Sequence, residues 1–195
     1  MKFISFFAVF IFLFFSCKKD SLDRTIFIPD KDYPELPAYS EWGYNSFGAF
    51  YERNTFVSTD RIVPCKMVAK DDTLNFVLSG LWYHQVNASL TFSIPHMIGL
   101  KTLEDLSVLH NLVIDLKENC IVKWKENNQQ TTFDVLSGQL WFKRYQLLRV
   151  DETVNRIILS GTFEIKFLKK GLPESFSNGR FDLGISTENF IYITN

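Results

Sequence analysis

The chain has 195 residues, of which 46% are hydrophobic, 22% are charged and 16% are aromatic. This apolar content excludes a disordered or collagen-like chain. The formal net charge of -1 excludes a strongly basic nucleic-acid-binding protein, and three Cys residues are too few for a small domain built on disulfides. The unusual feature is the count of 20 Phe residues, seven of which lie within the first sixteen positions.

The beginning of the chain is a short apolar stretch behind a single cation, Lys2. Within residues 3–15 only Ser5 is polar. As a helix this stretch would rise about 20 Å, which is too short to cross a hydrocarbon layer of about 30 Å. A basic start, an apolar core and a small residue, Ser16, are typical of a secretory signal peptide. We therefore predict that residues 1–16 are an export signal.

The residue after this signal is Cys17, and it predicts a lipid anchor. The stretch Phe14-Phe15-Ser16-Cys17 resembles the lipobox read by lipoprotein signal peptidase, with Phe14 where Leu is commonest. The resemblance implies that Cys17 becomes the acylated first residue, and two or more acyl chains hold a protein stably on a membrane. The alternative is an ordinary signal peptide, or an uncleaved anchor, with an incidental Cys.

Residues 17–45 are predicted to be a lipidated tether, and residues 46–195 a single domain. The tether contains Pro29, Pro34 and Pro37 among scattered charges, a composition that favours an extended chain holding the domain off the membrane. A short strand at 25–28 that packs on the domain is the alternative.

The residue that follows the lipidated Cys bears on the location. In enteric-type sorting, an acidic residue at this position favours retention in the inner membrane. Here the residue is Lys18, so we predict an outer-membrane lipoprotein, on the periplasmic side or at the cell surface.

Beyond the tether the hydrophobic pattern has a period of two, which indicates strands with one buried face. We predict an all-β fold, either an antiparallel β-sandwich or a partly closed, lipocalin-like barrel, with one short helix. Thr102 is the predicted N-cap of that helix, which would end near residues 110–112. The predicted strands are 73–83, 86–94, 112–116, 138–148, 157–167 and 180–185.

The C-terminal half carries motifs that resemble an uncharacterised family of Bacteroidetes-type lipoproteins. The motifs are a Gly-containing strand at 137–142, the segment 157–165 of the type I-I-S-G-T-F, and the ending Asn178-Gly179-Arg180-Phe181-Asp182. The resemblance implies a secreted, lipid-anchored, all-β domain. It implies no activity, cofactor or catalytic residue.

These motifs favour structural roles. Gly138 and Gly161 within strands predict a bulge or a large side chain that crosses close over the backbone. Arg180 and Asp182 lie two residues apart on one strand face, and Glu164 is the predicted cross-strand partner of Arg180. Residues 177–179 predict a turn.

No catalytic or metal-binding pattern stands out. The nucleophile-elbow, phosphate-loop, zincin and dinucleotide signatures are missing from the sequence. The three His residues, His84, His96 and His110, lack the close spacing of zinc ligands. We therefore predict no cofactor and no metal.

Two sets of residues remain as candidates. Trp141, Lys143 and Tyr145 alternate along one strand and would face outward together, where aromatic faces stack on sugar rings or anchor protein interfaces. The alternative is that this face is covered by the helix or a second sheet. Cys65 and Cys120 would meet an oxidising compartment, where they either form a disulfide or remain two separate buried thiols.

The first functional hypothesis is therefore a lipid-anchored cell-envelope protein with a non-catalytic binding domain, whose partner is a glycan or a protein. A lipocalin-like carrier is the second hypothesis, and it requires an apolar cavity lined by residues such as Phe76, Leu90 and Phe163. A hydrolase with a dispersed site is the third, and it requires a pocket with convergent titratable groups.

Overall fold

The computed structural model describes residues 24–150 and 153–193, and the predicted signal peptide and Cys17 lie outside these residues. The described chain is almost entirely β-structure, so the all-β prediction is confirmed. The strands are β1 (Ser46–Tyr51), β2 (Asn54–Val57), β3 (Cys65–Lys70), β4 (Thr73–Trp82), β5 (Val86–Ile94), β6 (Leu112–Asp115), β7 (Ile121–Glu126), β8 (Gln129–Thr132), β9 (Asp134–Val150), β10 (Thr153–Lys169), β11 (Leu172–Ser186) and β12 (Phe190–Ile193).

The twelve strands of the described chain belong to one sheet, in the order β6-β9-β10-β11-β1-β2-β4-β5-β7-β8. Neighbours along this path are antiparallel. β3 pairs with β4 beside this path, and β12 adds to β3 as a parallel strand. The sheet curls into a half-barrel, so the partly closed barrel is the correct one of the two predicted architectures.

The interior of the half-barrel is filled by aromatic side chains from both halves of the sheet. Rings of β4 and β5 touch rings of β9 and β10 across the interior: the centroids are 5.3 Å apart for Phe76 and Phe142, and 5.5 Å apart for Phe92 and Phe163. The three residues predicted to line a carrier cavity are all buried. They belong to the packed core, whereas a carrier would need them to line an apolar cavity.

Several strand boundaries follow the predictions, and one predicted turn is wrong. β4 and β5 lie where the alternation placed them, and Leu112–Asp115 is β6. Residues 177–179 lie inside β11, where the pairing with β10 shifts register between Phe163 and Ile165. Asn178 has a φ of 52° there. The positive φ that suggested a turn therefore belongs to a β-bulge.

The predicted helix is a single short 3-10 helix, Glu104–Leu109. Leu103 occupies the N-cap position that was predicted for Thr102, and it makes no side-chain cap. The Asp105 carboxylate instead accepts hydrogen bonds from the backbone N–H groups of Lys101 and Thr102, at 2.9 and 2.8 Å. The buried residues Leu106 and Leu109 attach the helix to the core.

The described part of the predicted tether, residues 24–45, packs on the outer face of the half-barrel. Leu36 is fully buried there. Gly48 of β1 allows this contact, because a Cβ at Gly48 would lie 2.4 Å from Pro37 Cδ. The chain thus packs on the sheet here instead of holding the domain at a distance, and residues 25–28 do not form the short strand that was the predicted alternative. We call residues 24–45 the N-terminal segment.

Asp182 of β11 fastens the N-terminal segment to the sheet. The side chain is buried, and its carboxylate accepts hydrogen bonds from the backbone N–H groups of Trp42, Gly43 and Tyr44, at 3.1, 2.7 and 3.2 Å. The hydroxyl of Ser40 donates a further hydrogen bond to the same carboxylate. A buried carboxylate needs such donors in place of water, so these bonds explain why the segment follows this path.

Arg180 makes the second attachment. Its guanidinium pairs with the carboxylate of Asp30, and both side chains are mostly buried, at 12% and 19% exposure. The predicted partner Glu164 was wrong, because the N-terminal segment brings Asp30 to the guanidinium. Burial acts to raise the pKa of Asp30, but hydrogen bonds from Tyr33 and Asp32 N–H and the charge of Arg180 hold that pKa below its ordinary value.

This pKa shift predicts an acid-induced loosening of the N-terminal segment. A carboxyl group whose pKa is lowered by folding stabilises the folded state above its ordinary pKa of about 4, and the stabilisation is lost as pH falls through the lowered value. We expect hydrogen exchange at the amides of Ile26 and Asp30, corrected for intrinsic rates, to stay constant from pH 7 to 5. Below about pH 4 the exchange should accelerate.

The Asp30→Asn variant is the matched control for this pH dependence. It should show faster exchange already at neutral pH and a weaker change on acidification. Constant protection of both amides down to pH 2.5 in the wild-type protein would contradict the assignment.

Cys65 and Cys120 are free thiols, so the predicted possibility of a disulfide is not realised. Cys65 lies in β3 and Cys120 directly precedes β7, and β4 and β5 separate these two strands in the sheet. Burial raises the pKa of both thiols, to about 12 for Cys120. Both groups therefore stay protonated at neutral pH.

Within the described residues, no helix has the length and apolar character needed to cross a membrane.

Candidate functional site

The candidate site is a groove on the outer face of β9, β10 and β11, bordered by the N-terminal segment. Its volume is about 410 Å³. Trp141 and Lys143 of β9 line it, so two of the three predicted binding residues are here. The other lining residues are Tyr39, Gln139, Thr162, Phe163, Glu164, Asn178, Gly179 and Arg180.

Strand register explains why these side chains share one face. Trp141 lies opposite Thr162, and Thr162 lies opposite Arg180, so the three form a row across β9, β10 and β11. Their chain neighbours Phe142 and Phe181 are buried in the core. Because successive strand residues point to opposite faces, burial of those neighbours turns the row outward.

Gly161 permits the close packing beneath this row. A Cβ at Gly161 would lie 2.0 Å from the carbonyl oxygen of Trp141 and 2.6 Å from the ring of Phe181. The prediction that a large side chain crosses close over this glycine is therefore confirmed. The Trp141 carbonyl and the Phe181 ring thus occupy the space that a side chain at position 161 would need.

The Trp141 ring is held in place although it is 39% exposed. Its indole N–H donates a hydrogen bond to Asn111 Oδ1, at 3.2 Å. The Lys143 ammonium lies 4.7 Å from the Trp141 ring centroid and 4.8 Å from the Tyr39 ring centroid, within the range of cation–π attraction. Lys143 thus links the rings of β9 and the N-terminal segment.

Tyr39 is fixed by a charged network at the rim of the groove. Its hydroxyl donates to Glu41 at 2.9 Å, and Arg144 donates to the same carboxylate at 2.8 Å. Burial and the hydrogen bond to Glu41 raise the pKa of Tyr39 to about 12. The hydrogen bonds from Tyr39 and Arg144 lower the pKa of Glu41. At neutral pH the groove therefore presents a neutral Tyr39 hydroxyl beside an ionised Glu41.

A second depression of about 450 Å³ adjoins the groove and shares Gln139 and Glu164 with it. It extends toward Lys117, Lys166 and Ser175. The β-bulge of β11 lies opposite Glu164 at the junction, and bulges commonly re-aim side chains beside binding sites. Together the two depressions form an elongated surface along the strands, to which polar and apolar atoms contribute about equally.

Tyr145, the third predicted binding residue, does not belong to the groove. The pairing of β9 with β10 shifts register between Ser160 and Gly161, which makes Lys143 an extra residue and reverses the alternation beyond it. Tyr145 therefore packs against the core, and its hydroxyl donates to the Leu103 carbonyl at 3.1 Å. Burial raises the pKa of Tyr145.

Sequence reasoning missed most of the other lining residues. Residues 157–167 were predicted to be a strand, but nothing in the sequence paired its Thr162 and Glu164 face with Trp141. Tyr39 was assigned to the tether. The Arg180–Asp182 motif was the one sequence feature that could have revealed this packing. Two charged side chains beside buried residues of a strand need partners from elsewhere in the chain.

The described residues hold no group of three or more His, Cys, Asp or Glu side chains that could bind a metal ion. No match is found when the chain is compared with protein-family models, with curated proteins and with solved structures.

Proposed function

We propose that this protein is a lipid-anchored, non-catalytic binding protein of the cell envelope, and that the groove takes a glycan. The observation that carries the proposal is the exposed, immobilised Trp141 ring surrounded by polar side chains. Sugar rings combine an apolar face with hydroxyl groups that both donate and accept hydrogen bonds. The groove supplies the matching chemistry, because an aromatic ring lies beside the amides of Gln139 and Asn178 and the carboxylate of Glu164.

The shape and rigidity of the site also favour binding. The elongated surface formed with the second depression suits an extended ligand. Trp141 and Tyr39 are held by hydrogen bonds before any ligand arrives, and such preorganisation reduces the entropy lost on binding.

The residues of the groove favour glycan binding over glycoside hydrolysis. Glu164 lines the groove, whereas the Glu41 carboxylate at its rim is already engaged by hydrogen bonds from Tyr39 and Arg144. Hydrolysis of a glycosidic bond ordinarily uses two carboxyl groups facing each other across the bond. A binding role needs no such pair.

A Trp141→Ala variant of the full chain tests the groove. Titration calorimetry would use a neutral hexasaccharide, chitohexaose, and an anionic one, hexagalacturonate. For the hexasaccharide that binds, we expect Kd to rise about tenfold, or about 1.4 kcal/mol, because the stacking surface is removed.

Trp42→Ala is the matched control, because Trp42 is exposed and does not line the groove. Its Kd should equal that of the wild-type protein. Equal losses in both variants, or no binding of either hexasaccharide at millimolar concentration, would reject the glycan proposal and leave a protein partner as the alternative.

The lipid anchor is tested separately by Cys17→Ser. In cells fed a radiolabelled fatty acid, the wild-type protein should carry label in the membrane fraction. The variant should accumulate as an unlabelled, unprocessed precursor, because the thiol that would receive the lipid is missing. Labelled, normally processed Cys17→Ser protein would reject the anchor.

A further inference from the structure

The N-terminal segment carries an exposed apolar patch, which we define as Ile26, Phe27, Ile28 and Trp42. Their exposed fractions are 48%, 41%, 45% and 74%. The backbone N–H of Ile26 donates to the Tyr44 carbonyl at 2.8 Å, so the stretch 26–28 begins beside the loop that carries Trp42. Large apolar residues exposed together on neighbouring parts of a surface are typical of an interaction site.

The backbone of the patch is held firmly although its side chains are exposed. Trp42 N–H bonds to the buried Asp182 carboxylate, and Ile28 accepts a hydrogen bond from Ala38 N–H at 2.7 Å. These bonds hold the backbone of the patch in a fixed position on the half-barrel.

The position of the patch along the chain identifies what covers it. Arg24 is the first residue that the structure describes, and the seven residues 17–23 join it to the predicted lipidated Cys17. A chain of that length spans at most about 25 Å. Ile26–Ile28 follow directly, so a lipid on Cys17 would keep the patch beside the bilayer surface.

We propose that the patch rests in the interface of the membrane that holds the anchor, and this inference depends on the proposed lipidation of Cys17. Trp is enriched at membrane interfaces, because its amphipathic ring suits the headgroup level. Ile26, Phe27 and Ile28 add apolar surface that inserts at the boundary of headgroups and acyl chains. The lipid and the patch together give the domain one orientation on the membrane.

Fluorescence quenching by brominated lipids tests the orientation. The full-length lipidated protein is reconstituted in vesicles of phosphatidylethanolamine and phosphatidylglycerol, with or without acyl chains brominated near the glycerol. We expect bromination to remove about a quarter of the emission, since one of the four Trp residues is at the interface. This loss should disappear in Trp42→Phe and persist in Trp141→Phe.

A second variant tests the patch without altering any Trp. Ile26→Ser combined with Ile28→Ser changes two exposed side chains, so the fold should be retained, as circular dichroism can verify. We expect the variant to float with vesicles in a density gradient as the wild type does, because the acyl chains remain. Its quenching by brominated lipid should fall.

The outcomes separate this inference from the proposed anchor. Failure of the wild-type protein to float with vesicles would reject the anchor and the membrane-facing patch together. Flotation without quenching would reject the patch alone, as would quenching that is lost in Trp141→Phe and kept in Trp42→Phe. Dimers that form through the patch, shown by sedimentation of wild-type protein but not of the double Ser variant, would identify a second copy as its occupant.

Discussion

Replacing Asp182 by Ala should lower the free energy of unfolding by about 3–5 kcal/mol, because removing one partner leaves buried donors without an acceptor. The donors are the hydroxyl of Ser40 and the backbone N–H groups of Trp42, Gly43 and Tyr44. Urea denaturation followed by circular dichroism measures the change. Limited proteolysis should then cut first within residues 24–45.

Two further variants make this result interpretable. Asp182→Asn keeps one acceptor oxygen, so its loss of stability should be intermediate. Asp134→Ala removes an exposed carboxylate from β9, and its effect should stay within about 0.5 kcal/mol. An Asp182→Ala protein as stable as the wild type, with residues 24–45 still resistant to protease, would refute the fastening role.

Replacing Phe76 by Ala should also cost about 3–5 kcal/mol, since a fully buried ring leaves a cavity that its neighbours cannot close. Phe76 lies in β4, and its ring contacts Phe142 of β9 and Phe181 of β11, at centroid distances of 5.3 and 5.1 Å. These contacts join the two halves of the curled sheet. Chemical denaturation of the full chain measures the loss.

Phe27→Ala is the matched control, because it truncates the same side chain at an exposed position. Its effect should stay within about 0.5 kcal/mol. If Phe76→Ala cost less than about 1 kcal/mol, the interior would be loosely packed. The lipocalin-like carrier would then again be a serious alternative to a surface site.

Both predictions concern contacts between parts of the chain that are far apart in sequence. Asp182 attaches the N-terminal segment to the last long strand, and Phe76 joins early strands to late ones. The groove depends on the first of these attachments, because Tyr39 reaches its border only while the segment is in place. Stability of the segment and ligand binding should therefore change together in Asp182 variants.

Local pattern predicted the strands well, because burial of one sheet face repeats every second residue. That periodicity placed β4 and β5 almost to the residue and marked Trp141 as an outward position of β9. The same rule failed for Tyr145, because the bulge at Lys143 arises from the pairing of β9 with β10. The hydrophobic periodicity of a single strand cannot predict a register shift that depends on its pairing with another strand.

The N-terminal segment shows the other limit of local reasoning. Its prolines and charges are typical of an extended linker, but its backbone turns back on itself where Pro29 bridges Pro37. Leu36, Pro37 and Asp30 nevertheless pack on the sheet, because Gly48, Arg180 and Asp182 provide a surface that fits them. Residues 24–45 thus have the composition of a linker although they pack on the sheet.

The amino-acid sequence by itself determined the all-β class, the main strands and the outward position of Trp141, because these depend on which residues alternate between apolar and polar. Only the tertiary structure decided that the sheet curls around a filled aromatic core, that Tyr39 and Arg180 border one groove, and that the N-terminal segment belongs to the domain. Those features depend on which distant strands pair and where bulges interrupt them. Such contacts form only when the whole chain folds.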